Sequence, residues 1–311
     1  MSPSPSRRLA LITGASLALL TGCGSSSGSG GDGSGAQEPA ASSRIVVVAS
    51  TDVYGDIVEQ IGGAKVDVTS IISDPDQDPH SYEANTQNQL ALSKAKVVVE
   101  NGGGYDDFVD RMLKSSGSSA EVINAVAVSG KTAPKGGELN EHVWYDFPTV
   151  AKIVDRVATA LGRADATDAT LFTRNAEAFK ARLTTLETKE ALIKKEHAGE
   201  GVAITEPVPL YLTTASGLVN KTPAAFSEAI EEGDDVSPRV LQATLAVFGD
   251  KQVGALVYNE QTSGPQTEKS KAAAKAAGIP VVPVTETLPK GKDYLGWMTS
   301  NVDALASALA K

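Results

Sequence analysis

Residues 163–198 read RADATDATLFTRNAEAFKARLTTLETKEALIKKEHA, a run with neither glycine nor proline. Leu171, Phe172, Phe179, Leu183 and Leu186 recur in it at helical spacing, and helix-forming Ala, Glu and Lys fill the other positions. The pattern predicts one long helix near the middle of the chain. The stretch before it, from Thr149, is also helix-prone and is interrupted at Gly162 and around Asp165. Upstream of this helical middle, RIVVVAS (44–50) is a β-branched run of the kind that forms a buried parallel strand. Val53, Ile57, Val58 and Ile61 then mark a helix that Gly62 and Gly63 end. Further strands are expected at 66–72, 96–100 and 120–127, with helices at 87–93 and 105–114 and a tight turn at Gly102–Gly104. Downstream the alternation resumes, with strands at 202–205, 253–258 and 281–285 and helices at 238–248, 267–277 and 301–310. Alternating strands and helices on both sides predict an α/β class. Two α/β lobes with parallel sheets (44–165 and 199–311) are joined by one long linker helix (166–198).

The N-terminus has a different character. Arg7 and Arg8 precede a twelve-residue apolar or small run, Leu9–Leu20, too short to span roughly 30 Å of hydrocarbon as a helix. A basic flank, a short apolar segment and small residues after it form an export signal over 1–22. Leu20-Thr21-Gly22-Cys23 is similar to a bacterial lipobox, which implies that Cys23 becomes the lipidated first residue of the mature chain. Two or more acyl chains would hold it at the outer face of the cell membrane. Cys23 is the single cysteine, so no intrachain disulfide forms. Residues 23–43 continue as a Gly/Ser-rich stretch with no apolar pattern, a flexible tether. The formal net charge is −10, and losing Arg7 and Arg8 with the signal leaves −12. An acidic body argues against nucleic acid as a partner, because phosphate binding needs concentrated basic charge.

Histidine is scarce, at positions 80, 142 and 197. His80 lies in DPHSYE (78–83), after a strand, and His142 lies in EHVWYDF (141–147). Loops beyond the carboxyl ends of parallel strands are where open α/β sheets bind ligands. In the second half Glu206 follows the strand VAIT directly, and Glu286 follows VVPVT. Two neutral imidazoles and two carboxylates carry a total charge of −2, which balances a divalent cation. The same two carboxylates buried without a cation would repel each other. Glu83, Glu141, Asp146 and Glu260 are neighbouring candidates, the last two as hydrogen-bond acceptors that orient an imidazole. Trp144, Tyr82 and Tyr294 are expected to pack. His197, at the end of the long helix, suits the helix dipole as a structural residue.

These motifs, with ITE (204–206) and VPVTETLPKGKDYLGWM (283–298), resemble the metal-binding subunits of bacterial zinc and manganese ABC importers, the cluster A-I or ZnuA/TroA-like solute-binding proteins. The resemblance runs from Ile45 to the end of the chain. It implies two lobes joined by a long helix, a metal between them, and His80, His142, Glu206 and Glu286 as its ligands. Position 206 falls where family members carry histidine or glutamate. Position 286 falls where aspartate is usual, so Glu286 departs from the pattern by one methylene.

The resemblance implies a non-enzymatic, monomeric lipoprotein that captures Mn2+ or Zn2+, with Fe2+ a further candidate, for the permease of an ABC importer. In the resembling family a glutamate third ligand is similar to the manganese-type members, and a histidine-rich loop before the second ligand marks zinc-type ones, so Glu206 and the absence of histidine over 129–140 lean towards manganese; carboxylate-rich sites suit that metal better than thiolate or all-imidazole sites. The alternatives are a metal-stabilised surface adhesin and a membrane-tethered metallohydrolase. The latter would keep a coordination position open for water. The sequence carries no H-E-x-x-H motif and no glycine-rich phosphate loop after a strand.

Overall fold

The computed structural model describes residues 44–75, 79–83 and 85–311. The export signal, Cys23, the tether and Asp78 lie outside the described residues. Among those described, two four-stranded sheets form, each parallel throughout. The first takes the order β2-β1-β3-β4, from β1 (Ile45–Thr51), β2 (Val66–Ile72), β3 (Val97–Glu100) and β4 (Glu121–Asn124). The second repeats it as β6-β5-β7-β8, from β5 (Gly201–Ile204), β6 (Val219–Asn220), β7 (Ala255–Asn259) and β8 (Val281–Val284). Val47 of β1 pairs with Val68 on one side and Val97 on the other, so the β-branched run is a central strand buried on both faces. Because the strands of each sheet are parallel, all their carboxyl ends share one edge. The loops that carry His80, Glu206 and Glu286 leave from those edges.

The long helix is α6 (Ala169–His197), preceded by α5 (Phe147–Ala164). Its buried side chains are Phe172, Ala176, Phe179, Leu183, Leu186, Glu190 and Ile193, one stripe at three- and four-residue steps. It packs against α1 (Asp52–Gly62) and α5 of the first lobe and against α11 (Tyr294–Leu309) of the second. Phe179 stacks on Tyr294 at 6.0 Å between ring centroids. One continuous apolar core runs from β1 through α6 to Leu305. Polar ties cross the same boundary. Asp52 accepts the Leu288 N–H at 3.1 Å, and Asp56 accepts that of Tyr294 at 2.8 Å. The Tyr294 hydroxyl donates to the Trp144 carbonyl at 2.6 Å and that of Tyr145 to the Thr285 carbonyl at 2.7 Å.

Several local expectations change. The strand expected to reach Ala127 stops at Asn124, whose side chain accepts the Ala127 N–H and caps α4 (Ala125–Ser129). Strand β6 and the helices α7 (Leu210–Ala215) and α8 (Ala224–Glu231) fill a region that gave no periodic signal. The last helix starts at Tyr294 rather than Asn301, because Asp293 accepts the Gly296 N–H and caps it there. No helix among the described residues is long and apolar enough to cross a membrane.

Candidate metal site

The two histidines arrive on short 3-10 turns. His80 sits in Pro79–Ser81, after β2, and His142 caps Val143–Tyr145. Aromatic rings wall both. His80 meets Tyr105 edge-on at 5.1 Å, and His142 meets Trp144 at 5.1 Å. Asn140 fixes the second imidazole. Its Oδ1 accepts the His142 backbone N–H at 3.1 Å and lies 2.8 Å from Nδ1, so Nδ1 is the donor and Nε2 is left to face inward. A turn at Gly102–Gly104 holds the loop from behind. All three glycines have positive φ, and a Cβ on Gly102 would lie 2.1 Å from Asn124. Asn101, at its start, donates to the Glu141 carbonyl at 3.0 Å.

The carboxylates come from the second lobe. Glu206 and Glu286 are both buried, 2% and 1% exposed, and Asn259 at the end of β7 stands between them. Its side-chain amide donates to Glu206 and, at 2.8 Å, to Glu286. Thr262 also donates to Glu206, and Gln261 accepts the Glu286 backbone N–H at 2.5 Å.

Glu286 is the centre. Its Oε2 lies 3.5 Å from the Nε2 of His80 and 3.5 Å from that of His142. Ligand atoms of His80, His142 and Glu286 all lie within 4.8 Å of one another, so these three form a candidate metal cluster. Two ligands bound at roughly 2.0–2.2 Å to a tetrahedral ion stand about 3.4 Å apart. The observed 3.5 Å contacts match that spacing and are long for hydrogen bonds. Glu206 lies outside the tight trio but is bound to it through Asn259. A further carboxylate, absent from the sequence expectations, joins from the end of α8: Glu231 Oε1 lies 3.5 Å from His142 Nε2.

Four buried atoms here have no hydrogen-bond partner: His142 Nε2, Glu206 Oε1, Glu231 Oε1 and Glu286 Oε2. Such atoms are rare and costly in a folded protein. Protons carry the compensation. Burial disfavours a charged imidazole, but the Glu286 carboxylate overcomes it and pushes His80 up to about 9. His142 is raised in the same way. Glu286 is held well below the carboxylate range by the two imidazoles, against its own burial. Burial and then the charge of Glu286 push Glu206 up to about 7, and burial pushes Glu231 up to about 8.

Other candidates stand elsewhere. Asp146 caps α5 by accepting the Thr149 N–H and pairs with Lys131 at 3.2 Å; Asn140 takes the orienting role instead. Glu260 faces solvent, and its neighbour Asn259 faces the site. Glu83 is exposed, and Tyr82 packs on Phe108. His197 pairs with Glu200 at 3.0 Å at the end of α6.

Comparison with known proteins agrees with the two-lobed fold and with metal binding. The family described as zinc-uptake complex component A, periplasmic, matches residues 47–308. The metal ABC transporter substrate-binding lipoprotein SloC of Streptococcus mutans is 24% identical over 87% of this chain and 92% of its own. The periplasmic zinc-binding protein TroA of Treponema pallidum superposes with a TM-score of 0.73 at 19% identity, over 86% of this chain and all of that one. The laminin-binding adhesin Lmb of Streptococcus agalactiae gives 0.71 at 21% identity, over 85% and 99%. Further relatives are named for iron or manganese. The relatives are named lipoproteins and the family periplasmic, in keeping with an extracytoplasmic, membrane-anchored location. Matched over most of its length, bilobal and non-catalytic, this chain belongs to the ZnuA family of metal-binding proteins of ABC transporters.

Proposed function

We propose that this chain captures one divalent first-row metal cation with His80, His142, Glu206 and Glu286 and delivers it to the permease of an ABC importer, tethered by lipid on Cys23. The observation that carries the reading is the set of buried polar atoms without partners at the meeting of the two lobes. A cation bound there gives His142 Nε2, Glu206 Oε1 and Glu286 Oε2 a partner and removes the repulsion between two carboxylates. Two imidazoles and two carboxylates favour manganese over the softer competitors, while zinc suits the tetrahedral spacing and has the higher intrinsic affinity. Manganese is therefore the first candidate and zinc the second. Elemental analysis of untagged protein, paired with competitive titration of manganese against zinc, tests both parts. Protein that holds no metal and takes up none refutes the reading.

Delivery needs the ligands to be pulled apart. With 44–165 and 199–311 as lobes on a 166–198 strut, the shared core along α6 supports a small closure rather than a wide hinge. Solution scattering of metal-free and metal-loaded protein is expected to give radii of gyration within about 1 Å, a small change against the size of a chain this long. The adhesin reading rests on the likeness in fold to Lmb. It predicts binding to matrix material and no growth defect on metal starvation, whereas the importer reading predicts loss of uptake.

A further inference from the structure

His142, Glu206 and Glu286 are almost wholly buried, and none of them lines the cleft between the lobes. That cleft has a volume of about 1190 Å³, and its wall includes His80, Glu141 and Glu231. Ligand atoms of these three also lie within 4.8 Å of one another. The trio draws on both lobes. Glu141 is set by the Asn101 contact to its own carbonyl, and Glu231 by the end of α8. Glu231 does not behave as a surface glutamate. Its side chain, 9% exposed, stands between the two groups: its Oε1, buried without a hydrogen-bond partner, lies 3.5 Å from His142 Nε2, and the carboxylate groups with His80 and Glu141. His80 belongs to both groups: its Nε2 faces Glu286, and its ring, 22% exposed, reaches the cleft. Glu232, Asp234 and Asp235 continue the acidic rim beside it, and Lys131, which also lines the cleft, is paired with Asp146.

We propose that His80, Glu141 and Glu231 form an outer half-site that takes the divalent cation from the cleft before His80 passes it inward. The proposal rests on the reading of the inner residues as the cargo site. With the imidazole neutral and both carboxylates ionised, as a bound cation favours, the three supply a net charge of −2, and the open cleft leaves room for the cation to keep part of its water. Shared His80 makes the outer and inner positions successive stations for one ion.

Manganese(II) binding followed by electron paramagnetic resonance tests this on the full chain. His142→Ala, with Glu286→Gln as a second inner-site variant, is expected to lose tight binding but keep one weaker equivalent. Adding Glu231→Gln or Glu141→Gln to either background should weaken that equivalent about tenfold or more, as loss of a full ligand charge implies. In the otherwise intact chain, Glu231→Gln should slow manganese association about tenfold, read by intrinsic tryptophan fluorescence. The outer site is refuted, with the cargo site intact, if wild type binds tightly but both inner-site variants bind nothing. Double variants that match their parents, or an unchanged association rate, refute it equally. Glu231→Gln abolishing tight binding as fully as His142→Ala would make Glu231 an inner ligand and also overturn the outer site. A wild-type chain that binds no manganese or zinc removes the cargo reading itself.

Discussion

The two lobes share a strand order and bring opposite chemistry to the same place. The first lobe presents imidazoles against a wall of rings, with Tyr54, Tyr105, Trp144 and Tyr145 buried behind them. The second presents carboxylates held by a bracket of amides and hydroxyls from Asn259, Gln261 and Thr262. Each backing suits its ligand. An imidazole is a flat, partly apolar group that rings can orient, and it needs one acceptor to set its tautomer. A carboxylate buried among rings would pay heavily for desolvation, and donors offset that. One sheet topology thus supplies either kind of ligand, and the residues just beyond the strand ends decide which.

The first lobe can be broken at the ligand. His142→Ala is expected to lower metal affinity about a thousandfold or more, the loss of a direct ligand exceeding the 10–100-fold typical of an outer-shell partner. The aromatic wall should keep the fold intact. Competition titration against a chelator measures the affinity, and an unchanged value rejects His142 as a ligand. The second lobe can be broken at the bracket. Asn259→Ala leaves Glu206 and Glu286 facing each other without their shared donor, and charged hydrogen bonds contribute about 1.5–3 kcal/mol each. Urea unfolding of metal-free protein should show a loss of about 2–4 kcal/mol. The manganese-loaded form should lose less, because the cation takes over the charge compensation. Equal losses in both forms would mean that Asn259 serves packing alone.

Acid sharpens the same contrast. Without metal, His80 stays protonated up to about 9, and the bound form must give that proton up. Apparent affinity should therefore rise with pH between 6.5 and about 9, by about tenfold per unit for each imidazole proton displaced. Calorimetry in buffers of different ionisation enthalpy counts those protons, and a count of zero at pH 7.5 overturns this account. The metal-free fold responds in the opposite sense. An imidazole with a raised pKa stabilises fully below the unfolded value of 6.5, and that contribution is lost as pH climbs through about 9.

How much of this could be read from the chain follows from element length and residue scarcity. Strands β1, β3, β7 and β8 stand out as β-branched or apolar runs, and α6 stands out because no breaker interrupts it. β6 has two residues and α7 six, too few for any period to show. The start of α11 was accessible in principle, since Asp293 is a cap with its Gly296 partner three residues on. Within the site, His80 and His142 were conspicuous because histidine is rare here. The bracket was not. Asn259 joins Glu206 across 53 positions, and nothing local marks that asparagine apart from Glu260 beside it. Only the pleat decides that residue 259 faces inward and 260 outward. Glu231 was hidden in an acidic stretch, EAIEEGDD (228–235), where a buried carboxylate looks like its exposed neighbours.

The smallest expected effect concerns a carboxylate that has neither a ring wall nor an amide bracket. Glu190 lies on the buried stripe of α6, 5% exposed, and its Oε1 has no partner. Burial, then the charges of Glu187 and Asp146, push it up to about 8. An unfolded glutamate titrates near 4.5, so between 4.5 and about 8 the folded chain holds a proton the unfolded chain has lost. Stability must fall as pH rises through that window. Glu190→Gln removes the proton and the penalty together. Its stability relative to wild type should grow by about 1–2 kcal/mol from pH 5 to pH 8.5, a figure discounted for residual solvation. The metal site titrates identically in both proteins, so its contribution cancels in the difference. Urea titrations at the two pH values read that difference directly. A gap that stays constant would show Glu190 ionised at little cost inside the strut, and the amide bracket around Glu206 would then not be what a buried carboxylate in this protein requires.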